Sequence, residues 1–377
     1  MSSTKNLGII AIIVLHFSAG CTADRINFNF DKINDRVWIG EDFWSVPLED
    51  WKIENGRIEF IGSRTNSRVN VLTSRMNGSG EMFLSFRFGM LEDGSIPGRT
   101  GVRLAMIDQT DNSYKSLCYH GKGIDIGVNT SGKLFINQDT VDLPSGFNYE
   151  EMTMIIQARS DESNKGLNAT VSDANGLTST VSTTKIDQME GMIAFVNNFD
   201  RRMETNTEVP KFWFDDIKMS GSMLEATPDH AFGPILFSMY TLSKGTLKMS
   251  AQLPPLGEND NKNVILQVRE NDEWKQVAVS NIDDNSYVAA FKIEDWNDTI
   301  DHKYRLAYTE NYKNGASKTT YREGVIRKDP VDQPLAVAGF TCQYDYGFPY
   351  APLVHNVTEL NPDLLYFSGD QVYEANG

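Results

Sequence analysis

Apolar and polar residues alternate along much of the first 220 residues, as they do in strands that bury one face. The alternation is regular over residues 82–90 and again over 152–158. Because successive side chains of a strand point to opposite sides, this pattern turns one face of each strand toward a core. Turn-forming pairs such as Asn77-Gly78 and Asn175-Gly176 separate the segments. Many short strands over residues 25–222 predict a two-sheet sandwich or jelly roll.

The segments WKIENGRIEF (51–60) and FWFDDI (212–217) bound a stretch that resembles a concanavalin/laminin-G-type β-sandwich. The resemblance implies one sandwich domain over residues 21–227. Three indoles near its start, Trp38, Trp44 and Trp51, would stack on sugar rings if they were exposed. Core packing is the favoured interpretation of these rings, because buried aromatics contribute large apolar areas. Glycan recognition by this sandwich stays open.

A second set of strands follows a boundary at residues 226–229, where Pro228 interrupts the pattern. The number and length of these strands predict an immunoglobulin- or fibronectin-III-like sandwich over residues 228–330. The strands are predicted at 247–253, 264–269, 274–277, 287–293, 304–308 and 321–326.

Residues 1–20 have the features of a secretory signal. Lys5 supplies the positive start, and the apolar run over residues 7–15 is too short for a spanning helix. Small residues then precede Cys21, an arrangement that resembles a bacterial lipobox. The resemblance implies cleavage before Cys21, lipid modification of Cys21, and attachment to a membrane of the bacterial cell envelope. The alternative is a plain signal peptide followed by a chance cysteine.

Charge and cysteine content narrow the classes of function. With 51 acidic against 35 basic residues, the formal net charge is −16, which argues against a nucleic-acid backbone as partner. Three cysteines cannot form a disulfide framework. Cys118 and His120 are predicted to face one side of a strand. A buried thiol beside an ordinary histidine is favoured there over a metal site.

The last 43 residues have a different pattern. An apolar run at 335–340, a helical pattern at 353–360 and a second apolar run at 363–368 predict two parallel strands joined by a helix, a βαβ unit. Polar residues stand at the carboxyl ends of both strands, where α/β sheets bind ligands. Since such ends are neighbours, their side chains could share a metal ion, and thiolate and phenolate ligands suit ferric iron. The candidate residues are Cys342, Asp370 and Tyr373.

The motifs AGFTCQ (338–343) and NPDLLYFSGDQVYE (361–374) resemble the start of a PhoD-like (alkaline phosphatase D) metallophosphatase domain. The resemblance implies that Cys342 and Tyr373 bind a metal ion and that Asp370 bridges two, typically iron and calcium. It further implies hydrolysis of phosphate mono- or diesters by metal-activated water, in a domain that begins at residue 335 and follows a β module. No catalytic acid is assigned.

The chain ends at Gly377, so the later metal ligands of such domains have no counterpart in it. Two strands and one helix cannot cover both faces of a sheet. We therefore expect an inactive fragment of an envelope metallophosphoesterase. The alternative is a surface glycan-binding or spacer lipoprotein with a vestigial phosphatase tail.

Overall fold

The first sheet of the chain, sheet A, contains eight strands that pair in antiparallel fashion. The structure is a computed structural model, and it describes residues 26–109, 113–162, 164–199, 208–331, 333–343 and 350–370. In spatial order the strands of sheet A are β13 (Thr178–Thr183), β12 (Lys165–Asp173), β11 (Met152–Ser160), β6 (Gly80–Glu92), β15 (Lys211–Ser220), β4 (Arg57–Phe60) and β3 (Trp51–Glu54), with β1 (Ile26–Phe28) also paired to β15.

Sheet B likewise contains eight antiparallel strands. Its order is β10 (Asp139–Asp142), β9 (Lys133–Ile136), β8 (Lys122–Asn129), β7 (Gly98–Ile107), β14 (Glu190–Phe199), β5 (Ser67–Asn77) and β16 (Leu224–Ala226), with β2 (Phe43–Ser45) paired to β5. The short helix α1 (Tyr114–His120) packs on this sheet, where Leu117 and Cys118 contact Leu72, Met106 and Met192. Short 3-10 turns cover Leu48–Asp50 and Pro228–His230.

One hydrophobic core lies between the two sheets. The alternating residues of β6 and β11, such as Phe86 and Met154, enter it and are almost fully buried. The ring of Phe86 contacts those of Phe195 and Phe214 at centroid distances of 5.3 and 6.1 Å. Burying one such side chain contributes about 1.5–3 kcal/mol. The period-two pattern therefore predicted the two-sheet sandwich correctly.

The second module has two smaller sheets around a core of its own. The first consists of β17 (Phe237–Ser243), β18 (Thr246–Gln252) and β21 (Val288–Ile293), and the second of β20 (Glu273–Asn281), β19 (Asn263–Glu270), β22 (His302–Asn311) and β23 (Ser317–Ile326). All six predicted strands are present, and β17 was not predicted. The assignment to the immunoglobulin or fibronectin-III type stays a prediction, as do the domain boundaries.

A buried charge cluster joins the N-terminal segment to the second module. Arg36 donates to Glu310 at 3.0 Å and to Asp260 at 3.3 Å, and all three side chains are at most 5 % exposed. Trp38 lies against the Arg36 guanidinium and belongs to the core of the second module, not to that of the sandwich. Removing one member of a buried ion pair leaves the other charge buried without a partner, which costs free energy of folding. This cluster therefore fixes how the two modules meet.

The C-terminal segment contains β24 (Val337–Phe340), α2 (Ala351–Leu360) and β25 (Leu364–Phe367). The two strands pair in parallel, with Val337 opposite Leu364. The strand, helix and parallel strand were thus predicted correctly. Every side chain of β25 is exposed, and α2 buries none of its residues. No helix in the described part of the chain is long and apolar enough to cross a membrane.

Candidate functional site

The outer face of sheet A carries a polar cleft of about 360 Å³. Its centre is formed by outward residues of three neighbouring strands: Arg57 of β4, Arg87 of β6, and Trp213 and Asp215 of β15. Because Ile58, Phe86, Phe88 and Phe214 point into the core, the residues that alternate with them point outward. Loop residues complete the rim of the cleft: Asp31, Asn55, Asn148, Glu150, Glu151 and Ala174.

Trp213 forms part of the wall of the cleft and is held by two guanidinium groups. The Cζ atoms of Arg57 and Arg87 lie 4.8 and 5.8 Å from the centroid of its ring. Such cation–π contacts are worth about 0.5–1 kcal/mol at exposed sites and more where water is excluded. Each guanidinium is also fixed by a carboxylate, since Arg57 donates to Glu59 at 2.8 Å and Arg87 to Glu151 at 2.7 Å.

Gly89 allows this indole to lie close to the sheet. It is the register partner of Trp213, on the adjacent strand β6. A Cβ atom at this position would lie 2.0 Å from the carbonyl oxygen of Glu150 and 2.7 Å from Nε1 of Trp213. Only glycine therefore fits between the indole and the Glu150 backbone.

Asp215 supplies a buried carboxylate to the cleft. The residue is 6 % exposed, and its Oδ1 has no hydrogen-bond partner among the described residues. The nearest cation is Nη1 of Arg87, at 3.7 Å from Oδ2. Burial raises the pKa of Asp215 above its usual range, and the nearby charge of Asp31 raises it further, although Arg87 and the Asp216 N–H oppose the shift. Such an acceptor can take a hydrogen bond from a ligand.

Asp173 positions the loop that forms one rim. Its carboxylate accepts from the backbone N–H groups of Asn148, Asn175 and Leu177 at 2.9, 3.0 and 2.8 Å. Burial raises the pKa of Asp173, but these N–H donors more than offset that effect, so the pKa lies below its usual value. The ionised carboxylate thus ties the loop before β11 to the turn after β12.

The three indoles for which the sequence left sugar stacking open as the alternative to core packing are not in this cleft. Trp38 and Trp51 are fully buried, so the core-packing interpretation is correct for both. Trp44 is partly buried and makes an edge contact with Phe232 at 5.1 Å. Sequence reasoning missed Trp213 and Asp215, although the alternation in FWFDDI places both on the face opposite Phe214.

Cys118 and His120 were predicted to lie on a strand, and this prediction is wrong. They belong to α1, which begins after Ser113, whose hydroxyl accepts from the backbone N–H of Ser116. Tyr114, Leu117 and Cys118 recur at helical spacing, a signal that the strand interpretation overlooked. The expectation of a buried thiol is correct, since Cys118 is 6 % exposed and burial raises its pKa to about 12.

The strand ends at residues 342 and 370 do meet. The Sγ of Cys342 lies 3.5 Å from Oδ2 of Asp370, and both residues are exposed. Tyr373 and the lipidation candidate Cys21 lie outside the described residues. No three His, Cys, Asp or Glu residues in the described ranges are grouped so that they could hold a metal ion. The metal site, with its iron and calcium, stays a prediction.

No protein-family model and no curated protein matches this chain. Three solved structures that match are a metal-free lectin I-B4 from Griffonia simplicifolia, a seed lectin from Lotus tetragonolobus and a legume lectin-like domain from Entamoeba histolytica. Their sequence identities are 11, 14 and 9 %, and their TM-scores are 0.36, 0.36 and 0.26. The matches cover 52, 52 and 49 % of this chain and 99, 99 and 90 % of the other. Scores of this size support no inference about what this chain binds.

These comparisons contradict the identification of the chain as a PhoD-like metallophosphatase, and the prediction of an enzyme with it. The structures named above are lectins or lectin-like domains, and none is a phosphatase. The Gly-Asp pair that contributed to the identification has a local explanation. Gly369 and Asp370 both have positive φ, at 120° and 54°, a backbone conformation that glycine and aspartate adopt more readily than most residues.

Proposed function

We propose that this chain is a glycan-binding protein and that the cleft on the outer face of sheet A holds the saccharide. The free Oδ1 of buried Asp215 is the observation that carries this proposal. A buried acceptor without a donor costs about 1–3 kcal/mol, and a saccharide hydroxyl would supply the missing hydrogen bond.

The other groups of the cleft suit the same ligand. Each saccharide hydroxyl both donates and accepts, and the cleft offers carboxylate acceptors beside guanidinium donors. Arg57 and Arg87 are already fixed by the Trp213 ring and by carboxylates, so little side-chain entropy is lost when they bind a ligand. Trp213 is 4 % exposed and lies under Arg57 and Arg87, so it supports the two guanidinium groups that face the ligand.

The proposal predicts that glycan binding depends on Asp215. On a glycan array, the full chain should bind a defined subset of saccharides. Asp215→Ala should weaken that binding at least tenfold, because it removes the acceptor at the base of the cleft. Asp284→Ala is the matched control, since Asp284 lies in the second module, where it pairs with Lys262 at 3.1 Å.

The proposal would be wrong if the wild-type chain bound no saccharide on the array. It would equally be wrong if Asp215→Ala, shown to be folded by its unchanged far-ultraviolet circular dichroism, bound as well as the wild type.

We further propose that the chain displays this module from a membrane of the bacterial envelope through a lipid on Cys21, as the lipobox pattern implies. The small residues before Cys21 and the apolar run over residues 7–15 support this placement. We also propose, from the sequence, that the second module is a spacer.

A further inference from the structure

Negative charge predominates in the cleft of sheet A. Four carboxylates line it, those of Asp31, Glu150, Glu151 and Asp215, against the two guanidinium groups of Arg57 and Arg87. Arg87 is engaged by Glu151, and Arg57 is engaged by Glu59. Asp31 and Glu150 form no ion pair within the described residues, and Asp215 has only the long contact to Arg87. The cleft therefore has carboxylates that no protein cation balances.

A bound metal ion does not account for this excess. Within the described residues, no three of these carboxylates are close enough together to share one ion. A larger ligand with several donors could contact carboxylates that lie too far apart to share one ion.

The environment of Asp215 points to the same conclusion independently. Its carboxylate is buried, its Oδ1 lacks a hydrogen bond, and the charge of Asp31 acts on it unfavourably. A cationic donor would relieve both deficits at once, because it supplies the hydrogen bond and offsets the repulsion between the two aspartates. An uncharged hydroxyl would supply only the hydrogen bond.

We infer that the cleft selects saccharides that carry a free primary amine, that is, deacetylated amino sugars, a specificity that rests on the proposed glycan binding. The ammonium group donates to Asp215 and faces Asp31 and Glu150, while neighbouring hydroxyls accept from Arg87. An N-acetyl group at the same position removes the charge and one or more donors. A uronic acid places a further carboxylate among four others and is repelled.

Isothermal titration of the full chain tests this inference with three oligosaccharides of equal length: β-1,4-linked glucosamine, β-1,4-linked N-acetylglucosamine and β-1,4-linked glucose. We expect the glucosamine oligomer to bind at least tenfold more tightly than the other two. Asp215→Asn and Glu150→Gln should each reduce that preference, Asp215→Asn to less than threefold. Asp284→Asn changes the net charge by the same amount in the second module, where Asp284 pairs with Lys262, and should leave the preference intact.

The outcomes separate the two proposals. Equal binding of all three oligomers overturns the amine specificity and leaves glycan binding standing. A preference for the amine that Asp284→Asn reduces as much as Asp215→Asn also overturns it, since the cause is then the overall charge of −16. Binding to none of the three oligomers overturns the specificity, and the absence of binding to any saccharide on the array overturns glycan binding as well.

Discussion

The cleft depends on a few residues whose side-chain conformations are fixed by their neighbours. Trp213 contacts two guanidinium groups and lies against a glycine, while Asp215 is buried beside Arg87. Local alternation shows that both residues point outward, but it does not show what stands beside them. The partners come from residues 57, 87 and 150, which only the pairing of β4, β6, β11 and β15 brings together. For this reason the sequence could not reveal the cleft.

At this scale we predict that Gly89→Ala damages the cleft. The added methyl group would overlap the Glu150 carbonyl and Nε1 of Trp213, so the indole or the rim loop must move. Overpacking of this kind costs about 1–3 kcal/mol. Urea unfolding should show this loss, and the near-ultraviolet circular dichroism of tryptophan should change.

Gly166→Ala in β12 is the control for that substitution. The closest atom to its added methyl group is the Thr183 carbonyl oxygen at 3.9 Å, so little change in stability is expected. Equal stability of Gly89→Ala and the wild type would contradict the packing described for Trp213.

At the scale of the elements, the strands were predicted well, whereas the helix α1 and the loops around the cleft were not. Strands of the second module were found within a few residues, because their alternation is local. The helix α1 was predicted to be a strand, because the prediction considered the spacing of Cys118 and His120 and not that of Tyr114, Leu117 and Cys118. The loops that rim the cleft have no periodicity at all, and side-chain hydrogen bonds such as those of Asp173 define them instead.

The Asp173 contacts predict how stability depends on pH. The pKa of Asp173 is lower in the folded chain than its ordinary value of 3.8. The ionised carboxylate therefore stabilises the fold above that pH, and its contribution is lost as the pH falls through the lowered folded-state value. Asp173→Asn should be less stable than the wild type at pH 7, and the difference should shrink below about pH 4.

Urea unfolding of both proteins at pH 7, 5, 4 and 3 measures this dependence. A difference that stays constant down to pH 3 would show that the ionised form of Asp173 is not what holds the loop. Because Asn148 and Glu150 lie on this loop, Asp173→Asn should also weaken glycan binding at neutral pH.

At the scale of the molecule, the segment around Arg36 links two modules that the sequence presents as separate. The period-two pattern predicted a boundary near residue 227. A local pattern of this kind does not predict contacts between residues that are far apart in sequence. Trp38 nevertheless packs in the core of the second module, and Arg36 pairs with Asp260 and Glu310 across more than 220 residues. Such a long-range contact leaves no trace in local patterns.

We predict that Arg36→Ala destabilises the protein by about 3–5 kcal/mol, because it leaves Asp260 and Glu310 buried without a cation. Lys313→Ala is the matched control at the same junction, where Lys313 and Asp35 form an exposed pair at 2.8 Å that should matter little. Urea unfolding measures the free energy of unfolding of both variants. Equal losses in Arg36→Ala and Lys313→Ala would contradict a rigid junction.

The central claim is that a saccharide occupies the outer face of sheet A. A crystal structure of the full chain, soaked with an oligosaccharide that it binds on the array, tests this claim most directly. The account predicts saccharide density in the cleft, with a donor on Oδ1 of Asp215 and contacts to Arg87. Well-defined density on sheet B or on the second module, with the cleft filled by water alone, would contradict it.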